Sequence, residues 1–322
     1  MPSLEFMATA PAVLALAVAL DLLLGDPPGW PHPVRLMGAL ITRWERATRR
    51  VSTRPGWLRA SGVCMAVALP LLAWGATGGL LALAERVSPW LAFSVSVYLA
   101  YTCLSLAGLG RMVRQVGVSL AAGDLPGARA RVAHIVGRDT AQLDVPGVAA
   151  AAVESAAENA SDGFVAPLLF LALGGPALGL AYKAVNTADS MVGYRNERYR
   201  DFGWGPARLD DVANWVPARL TCLLLGAAAG LVGRNPLRAL ATAWRDARRH
   251  ASPNAGWPEA AVAGALGVAL GGEAHYGGQR HARPVLGSGE APGAAHVAQA
   301  VRLLWIAGGL AAVLAIAVRG VL

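Results

Sequence analysis

Three acidic residues lie four positions apart at the edge of an apolar segment, in the stretch AAVESAAENASDGFVAPLLF at residues 151–170. In an α-helix, which turns about 100° per residue, Glu154, Glu158 and Asp162 fall within an arc of roughly 80°. Like charges at this spacing repel one another unless a cation neutralises them. The stripe therefore predicts a metal ion, an arginine or a positively charged substrate beside it.

Carboxylate and amide side chains form two further groups within residues 182–221. The first group has the i, i+3, i+4 spacing of one helical face, and the second repeats the same combination one segment later. Their members are Asn186, Asp189 and Ser190, then Asp210, Asp211 and Asn214. Mg²⁺ that carries a phosphate keeps several waters and takes one or two carboxylates. The two groups therefore predict phosphate chemistry assisted by a divalent ion.

Lys183, at the start of the first of these groups, is the only lysine among the 28 lysine and arginine residues of the chain. A lysine ammonium is a compact point charge, whereas the arginine guanidinium is a planar fork. A single retained ammonium beside the densest polar motif is suited to the oxygens of a phosphoryl group during its transfer. Chance retention of one lysine is the alternative explanation.

The motif GDPPGWPHPVRLMG at residues 25–38 surrounds three polar side chains with prolines and glycines. This composition predicts a rigid loop that presents Asp26, His32 and Arg35 next to the end of an apolar helix. A plain connection at the membrane interface, with Trp30 as its anchor, is the alternative. Rigidity of this kind is not needed in a plain connection, so we favour a functional loop.

Two more polar motifs are open to both functional and structural interpretations. In VGRDTAQLD, Arg138 and Asp139 either belong to a site or form an ordinary surface ion pair. In SPNAGWPEAAVAGALGVALGG, Asn254 and Glu259 precede a short helix of small residues, which is also typical of the interior of a helical bundle. The sequence contains no GxxxxGK[ST], GxGxxG, HExxH or GxSxG motif, so the common nucleotide loops, zinc proteolysis and serine hydrolysis are not supported.

The elements that position these residues belong to a membrane protein. Hydrophobic residues make up 55% of the 322 residues, charged residues only 15%, and the mean hydropathy is +0.45. Several apolar runs reach the 18 to 20 residues or so that cross a bilayer as a helix. We expect an all-α, polytopic integral membrane bundle with these runs: 8–24, 60–84, 90–109, 164–182, 212–232, 261–271 and 301–318.

We predict one membrane-embedded domain over residues 1–322, with a cytoplasmic helical insert at about 111–162. The segment ERVSP predicts a tight antiparallel hairpin between runs 60–84 and 90–109. Asp124 and Pro146 mark helix starts inside the insert. The sequence GGP at 174–176 splits the next run into halves too short to cross, which predicts a broken or re-entrant hairpin. Residues 271–297 are expected to form a loop.

The net charge of +8 does not indicate nucleic acid, because the arginines are scattered through the loops of a membrane protein. Residues 25–59 contain seven arginines against Asp26 and Glu45, and this bias predicts that they lie in the cytoplasm near anionic lipid headgroups. Cys64, Cys103 and Cys222 lie in apolar runs without metal-ligand spacing, so we expect small hydrophobic residues there.

Five long motifs together resemble the adenosylcobinamide-phosphate synthase family, CobD/CbiB, of cobalamin biosynthesis. They are DLLLGDPPGWPHPVRLMG, VGRDTAQLD, ESAAENASDGFVAPLLF, KAVNTADSMVGYRNERYRDFGWGPARLDDVANWVPARL and SPNAGWPEAAVAGALGVALGG. The resemblance implies a multi-pass enzyme of the cell (inner) membrane with cytoplasmic active-site loops. It implies an amide ligation of (R)-1-aminopropan-2-ol O-phosphate, or a similar amino-alcohol phosphate, to adenosylcobyric acid, with ATP as co-substrate and Mg²⁺ as cofactor.

We assign roles to the matched positions as hypotheses. Glu154, Glu158 and Asp189 hold Mg²⁺. Arg35, Arg138 and the catalytic Lys183 neutralise phosphate charge. Asp162 or Asp210 takes the proton of the attacking ammonium. The remaining predicted substrate-binding residues are Asp26, His32, Asn159, Asn186, Ser190, Tyr194, Asp211, Asn214, Arg219 and Asn254. Trp30, Trp204, Trp215 and Trp257 either line a corrin pocket or form an interfacial aromatic belt.

Three other functions remain open. A corrinoid membrane transporter also has broken apolar segments and polar residues at membrane depth. A metal-dependent prenyl- or phosphotransferase in the membrane also uses acidic motifs, and a non-catalytic scaffold for cobalamin enzymes would need none of the proposed chemistry. The expected partners are the corrinoid, the amino-alcohol phosphate, membrane lipid and a complex with other enzymes of the pathway, without nucleic acid.

Overall fold

The computed structural model describes residues 11–27, 29–276 and 278–321, and these are predominantly α-helical. The prediction of an all-α membrane bundle is confirmed. The helices are α1 Pro11–Leu24, α2 Pro33–Val51, α3 Pro55–Val87, α4 Pro89–Tyr101, α5 Leu106–Ala121, α6 Leu125–Val132, α7 Val145–Ala160, α8 Ala166–Val192, α9 Trp204–Ala213, α10 Trp215–Leu231, α11 Pro236–Asp246, α12 Gly256–Leu266 and α13 Ala294–Val321. A π-helical turn, Ser161–Val165, joins α7 to α8, and a 3₁₀ turn, Ala247–Arg249, follows α11.

Four helical stretches of the described chain are long and apolar enough to cross a membrane. They are Pro55–Val87, Pro89–Ala121, Val145–Val192 and Ala294–Val321. The pair α9 and α10, bent by 48°, makes a fifth if it is counted as one span. The run 261–271, which the sequence indicates is too short to cross a bilayer, contains the end of α12 at Leu266 and the first residues of a β-strand.

The described residues divide into two compact units. The first contains those up to Leu104, Ala166–Asn214 and those from Ala312 onward, and the second contains Ser105–Val165 and Trp215–Ala311. In the first unit, α8 packs against α2, α3, α4 and α9. In the second, α12 packs against α7, α10 and α11. A single catalytic domain with an insert at about 111–162 stays a prediction.

Local sequence explains where the predicted helices begin and end. The Oδ1 atoms of Asp124 and Asp144 accept hydrogen bonds from the backbone N–H of Gly127 and Gly147, each at 2.8 Å, and so cap α6 and α7. Ser88 alone separates α3 from α4. Its backbone N–H donates to Ala84, and its hydroxyl accepts from the backbone of Trp90. The tight connection predicted from ERVSP is therefore present.

The chain reverses direction inside α8 at the GGP sequence. Gly174 and Gly175 have non-helical backbone angles, and Gly175 has φ 63° and ψ −163°. The rings of Phe170 and Tyr182 stack with centroids 4.7 Å apart, whereas twelve residues of straight helix would separate them by about 18 Å. The predicted broken hairpin is confirmed.

Arg319, near the end of α13, binds the carbonyl groups that this break leaves without a helical partner. Its Nη1 donates to the backbone oxygen of Ala172 at 3.0 Å. Carbonyl groups at a helix end need such donors where water is excluded. The arginine at the C-terminal end of one apolar helix therefore stabilises the turn of another.

The expectation of a loop at 271–297 is wrong for its first half. β1 Leu270–Tyr276 pairs antiparallel with β2 Gln279–Leu286, with an irregularity between Leu270 and Gly272. Glycine, proline and histidine suggested a loop because they are poor strand formers on average. Tertiary contacts of this hairpin with α7 and α12 decide its structure instead.

The helix of small residues, α12, forms the interior of the second unit. Every residue from Gly256 to Leu266 is buried. A Cβ atom added at Gly264 would lie 2.6 Å from Oγ1 of Thr242 and 2.7 Å from the backbone oxygen of Arg238. Glycine thus allows α12 and α11 to approach closely, as the structural interpretation of this motif predicted.

Candidate active site

The rigid N-terminal loop of the first unit ends in a histidine that caps α2. His32 Nδ1 accepts a hydrogen bond from the backbone N–H of Val34 at 3.3 Å. A neutral imidazole that accepts at Nδ1 carries its proton at Nε2. That atom lies 3.8 Å from Oδ1 of Asp26, so the ring is oriented towards the carboxylate of its own loop.

The charge state of His32 is set by its surroundings. Burial lowers the pKa of His32 below its ordinary value of 6.5. The negative charge of Asp26 opposes this effect, and the positive charges of Lys183 and Arg35 add to it. Two cations from separate motifs therefore act on one imidazole, which stays neutral at pH 7.

The second polar group of the first unit surrounds Asp210, which α9 buries. Its carboxylate lies beside the amides of Asn186 and Asn214 and within electrostatic range of Lys183. The hydroxyl of Tyr182 donates to Oδ1 of Asn214 at 2.9 Å. Oδ1 of Asp210 and Nδ2 of Asn214 are buried and form no well-aligned hydrogen bond to any described residue.

Lys183 thus links the two polar groups of the first unit. Its charge acts both on His32 of the N-terminal loop and on Asp210 of α9. The charge of one ammonium therefore acts on residues of two other motifs that are far apart in the sequence. The predicted residues that the structure brings together here are Asp26, His32, Arg35, Lys183, Asn186, Asp210 and Asn214.

The other predicted residues of the first unit lie on the borders of this cluster. Asp211 forms an ion pair with Arg208 at 3.2 Å and also acts on Asp210. The hydroxyl of Ser190 donates to the backbone oxygen of Asn186. Asp189 lies on α8 between Asn186 and Ser190. Tyr194 is exposed, with its ring centroid 6.3 Å from that of Tyr199.

In the second unit, arginine is the partner of the first acid of the stripe. Glu154 is buried, and its Oε2 accepts from Arg138 Nη2 and Arg283 Nη1, each at 2.7 Å. Its Oε1 accepts from the backbone N–H of Gly271 at 2.7 Å. Two guanidinium groups would repel a divalent cation. Glu154 therefore does not fit the predicted role of a Mg²⁺ ligand.

The rest of the acidic stripe has a different environment. Glu158 is exposed one turn beyond Glu154, and the amide of Asn159 donates to the backbone oxygen of Ser155 at 3.0 Å. Asp162 lies in the π-helical turn, which interrupts the regular α-helical spacing. Glu158 and Asp162 both interact with other residues. Within the described ranges, no three His, Cys, Asp or Glu side chains are placed to hold a metal ion.

Sequence reasoning gave no role to three residues that complete the cluster around Glu154. Glu259 lies with Oε2 3.7 Å from Arg283 Nη2 and Oε1 3.7 Å from His250 Nε2. Burial raises the pKa of Glu259 well above its ordinary value, and the charges of Glu154 and Glu158 add to this effect. The sequence feature that could have indicated Glu259 is its position as an acid in the first turn of a helix of small residues. Arg283 was hidden in the expected loop.

Arg219 and Asn254, both predicted to bind substrate, contact each other in the second unit. Arg219 Nη1 donates to Asn254 Oδ1 at 2.8 Å. The guanidinium carbon lies 4.6 Å from the ring centroid of Trp215 and 4.9 Å from that of Trp257. The two tryptophans thus hold a cation between their faces. In the first unit, Arg59 packs on Trp204, whereas Trp30 is exposed.

Comparison with known proteins agrees with the motifs that meet in these units. The family model described as CobD/Cbib protein matches residues 14–304. The chain belongs to the CobD/CbiB family. A cobalamin biosynthesis protein CobD from Klebsiella pneumoniae is 48% identical over 310 residues, which cover 95% of this chain and 97% of the relative. A cobalamin biosynthesis protein CbiB from Salmonella typhi is 47% identical over the same coverage.

Membership of the CobD/CbiB family gives this membrane protein a role in cobalamin biosynthesis. No solved structure matches the chain.

Proposed function

We propose that this protein is an adenosylcobinamide-phosphate synthase, an amide-forming acid–amine ligase. It joins (R)-1-aminopropan-2-ol O-phosphate, or a similar amino-alcohol phosphate, to a propionate carboxylate of adenosylcobyric acid and uses ATP. The single observation that supports this best is that the charge of Lys183 acts on both His32 and Asp210 in the first unit. Such a cluster combines a phosphate-binding cation with a buried carboxylate.

The chemistry needs an activated carboxylate, because a carboxylate is a poor electrophile. In the reaction we propose, a carboxylate oxygen attacks the γ-phosphorus of ATP, ADP leaves, and an acyl phosphate forms. The amine nitrogen then attacks the acyl carbon, phosphate leaves with the C–O electron pair, and an amide forms. Lys183 and Arg35 bind phosphoryl oxygens, on which negative charge is concentrated. Asp210 accepts a proton from the ammonium, and Asp162 is the alternative acceptor.

Glu154 does not fit Mg²⁺, because two guanidinium groups already hold its carboxylate. Mg²⁺ commonly takes one or two carboxylates together with substrate phosphates, and Asp210 is the proposed proton acceptor, so Asp189 of the same unit is the proposed ligand. When bound, the ion would neutralise phosphate charge. Asp189 and Glu158 remain proposed ligands. Lys183 and Asp189 belong to the first unit and Glu158 to the second, so their common site remains a prediction.

We also propose that the active-site loops face the cytoplasm from the inner membrane. The seven arginines of residues 25–59 support this orientation, since cytoplasmic loops are enriched in lysine and arginine. His32 and Arg35 belong to the same segment, so ATP would reach the cluster from the cytoplasm. A complex with other enzymes of the pathway is a further part of this proposal.

The direct test is a coupling assay with the purified full-length chain in detergent. The protein is incubated with adenosylcobyric acid, aminopropanol phosphate, ATP and Mg²⁺, and the products are measured by mass spectrometry. We expect the coupled product, with one ADP and one phosphate released for each amide formed. Omission of ATP is the control. Well-folded protein that forms no product under these conditions would contradict the proposal.

A corrinoid transporter is the second candidate. The hairpin reversal at Gly175 and the arginine bound to its freed carbonyls are features that transporters share. Proteoliposomes distinguish the two functions, because a transporter moves the unchanged corrinoid across the membrane without ATP-dependent coupling to the amine. Flux of unchanged corrinoid in the absence of product would favour this second function.

A further inference from the structure

A continuous apolar groove runs along α2 and α3 in the first unit. One part has a volume of about 550 Å³ and the adjoining part about 380 Å³. Leu40, Leu69 and Leu72 line both parts, so the two form one groove. Along α3 the lining extends from Trp57 to Leu80, which is about 35 Å at the helical rise.

The helix α2 has three faces, and two of them border this groove. Met37, Ile41 and Glu45 are buried against the protein. An exposed apolar face and a basic edge adjoin each other, each within roughly 60° at 100° per residue. The apolar face consists of Leu36, Leu40, Ala47 and Val51, and the basic edge consists of Arg43, Arg46 and Arg50.

The two ends of the groove differ in polarity. One end is lined by Leu80, Leu99 and Leu180. The other end contains Arg43, Thr48 and Ser61. Thr48 and Ser61 bond to each other through their hydroxyls at 2.6 Å.

The N–H groups of the two indoles at the polar end also have hydrogen-bond acceptors within the protein. Trp44 donates to the hydroxyl of Ser61, and Trp57 donates to the backbone oxygen of Thr48, each at 3.0 Å. No carboxylate among the described residues pairs with Arg43. Its guanidinium is therefore the lining group that can bind an anion.

We propose that this groove is a binding site for an anionic phospholipid. One acyl chain lies between α2 and α3, and the headgroup phosphate binds Arg43. Charge complementarity favours a lipid over a second copy of the chain, because the groove is apolar along its length and cationic at one end. Glu45, on the same helix, is already paired with Arg49 and Arg198, so the basic edge keeps its positive charge.

The test is a lipid titration of the purified full-length protein followed by native mass spectrometry. Dioleoyl phosphatidylglycerol and dioleoyl phosphatidylcholine have the same chains and differ in headgroup charge. We expect about fivefold tighter binding of the anionic lipid, which corresponds to the ~1 kcal/mol that one basic residue contributes near an anionic surface. Arg43→Gln should remove this preference. Arg86→Gln, the same charge change on an exposed residue at the far end of α3, should keep it.

A second pair of variants tests the acyl-chain position. Ala76 lines the groove, and Ala82 is exposed on α3 outside it. Ala76→Phe should weaken the binding of both lipids at least fivefold, whereas Ala82→Phe should not. Equal behaviour of the Arg43 and Arg86 variants would overturn the proposal. So would a dimer that Ala76→Phe abolishes while lipid binding stays unchanged, because the groove would then hold a second copy.

Discussion

His32 is placed to report the state of the candidate site through pH. Because its folded pKa lies below 6.5, the unfolded chain binds its proton first as the pH falls. The stability that the neutral imidazole contributes is therefore complete above about pH 6.5 and is lost below it, where Nδ1 no longer accepts from Val34. His32→Asn keeps a capping acceptor that does not titrate.

We expect the thermal midpoint of the wild-type protein to fall more than that of His32→Asn between pH 7.5 and 5.0. Replacement by alanine, which removes the cap, should cost about 1 kcal/mol above pH 6.5 and less at lower pH, where the wild-type cap is also lost. The measurement is thermal unfolding of the detergent-purified protein. Parallel pH profiles of the wild-type and asparagine proteins would contradict the assignment of a neutral, capping His32.

Glu154 is buried, whereas Glu158, one helical turn later, is exposed, so the same substitution at the two positions can be compared directly. Glu154→Gln leaves Arg138 and Arg283 with no carboxylate at 2.7 Å, and breaking a buried ion pair costs about 3–5 kcal/mol. Glu158 is exposed, so Glu158→Gln should change stability by less than about 0.5 kcal/mol. Denaturation of both variants would measure the difference. Equal loss of stability would show that the guanidinium pair does not depend on Glu154.

Glu259 titrates in the opposite sense to His32. Its folded pKa is raised above the ordinary value of 4.5 by burial, so the unfolded chain loses the proton first as the pH rises. The contribution of Glu259 to stability should therefore decrease from about pH 4.5 upward. Glu259→Gln, which imitates the protonated acid, should have a flatter profile and equal or greater stability at pH 8. A steeper profile for the glutamine variant would contradict this account.

At the scale of elements, the reversal inside α8 depends on one glycine. Gly175 has φ 63° and ψ −163°, a region that residues with a Cβ rarely occupy. Gly175→Ala should therefore cost about 1–3 kcal/mol. Gly79, in the regular helix α3 with open space around it, should accept alanine with a gain of about 0.5–1 kcal/mol. Thermal unfolding of both variants is the measurement, and equal effects would contradict the hairpin.

The sequence allowed some of these elements to be predicted and concealed others. Capping aspartates, ERVSP and GGP each constrain the backbone locally, so α6, α7, the α3–α4 connection and the α8 reversal could be predicted from neighbouring residues. The strands β1 and β2 could not, because their pairing depends on packing against α7 and α12. The same applies to Arg319, whose carbonyl partners are 147 and 146 positions away.

At the scale of the whole molecule, the sequence predicted the polar motifs better than their contacts. Asp26, Lys183 and Asp210 were selected by type and spacing, and they lie in one unit. The sequence did not decide whether a metal ion, an arginine or a positively charged substrate neutralises Glu154, because Arg283 is 129 positions away in the chain. Only the tertiary structure shows that arginines surround this acid, which makes it an unsuitable ligand for Mg²⁺.

The central claim is that the ammonium of Lys183 holds phosphate charge during the coupling reaction. Lys183→Met should lower kcat for product formation by about 10²–10³-fold, the effect of removing one transition-state donor. The kcat of Lys183→Arg should lie between those of the wild-type protein and Lys183→Met, because arginine keeps the charge but places it in a planar fork. The measurement is the rate of coupled product by mass spectrometry in protein with an unchanged thermal midpoint. A methionine variant with the wild-type kcat would contradict the account.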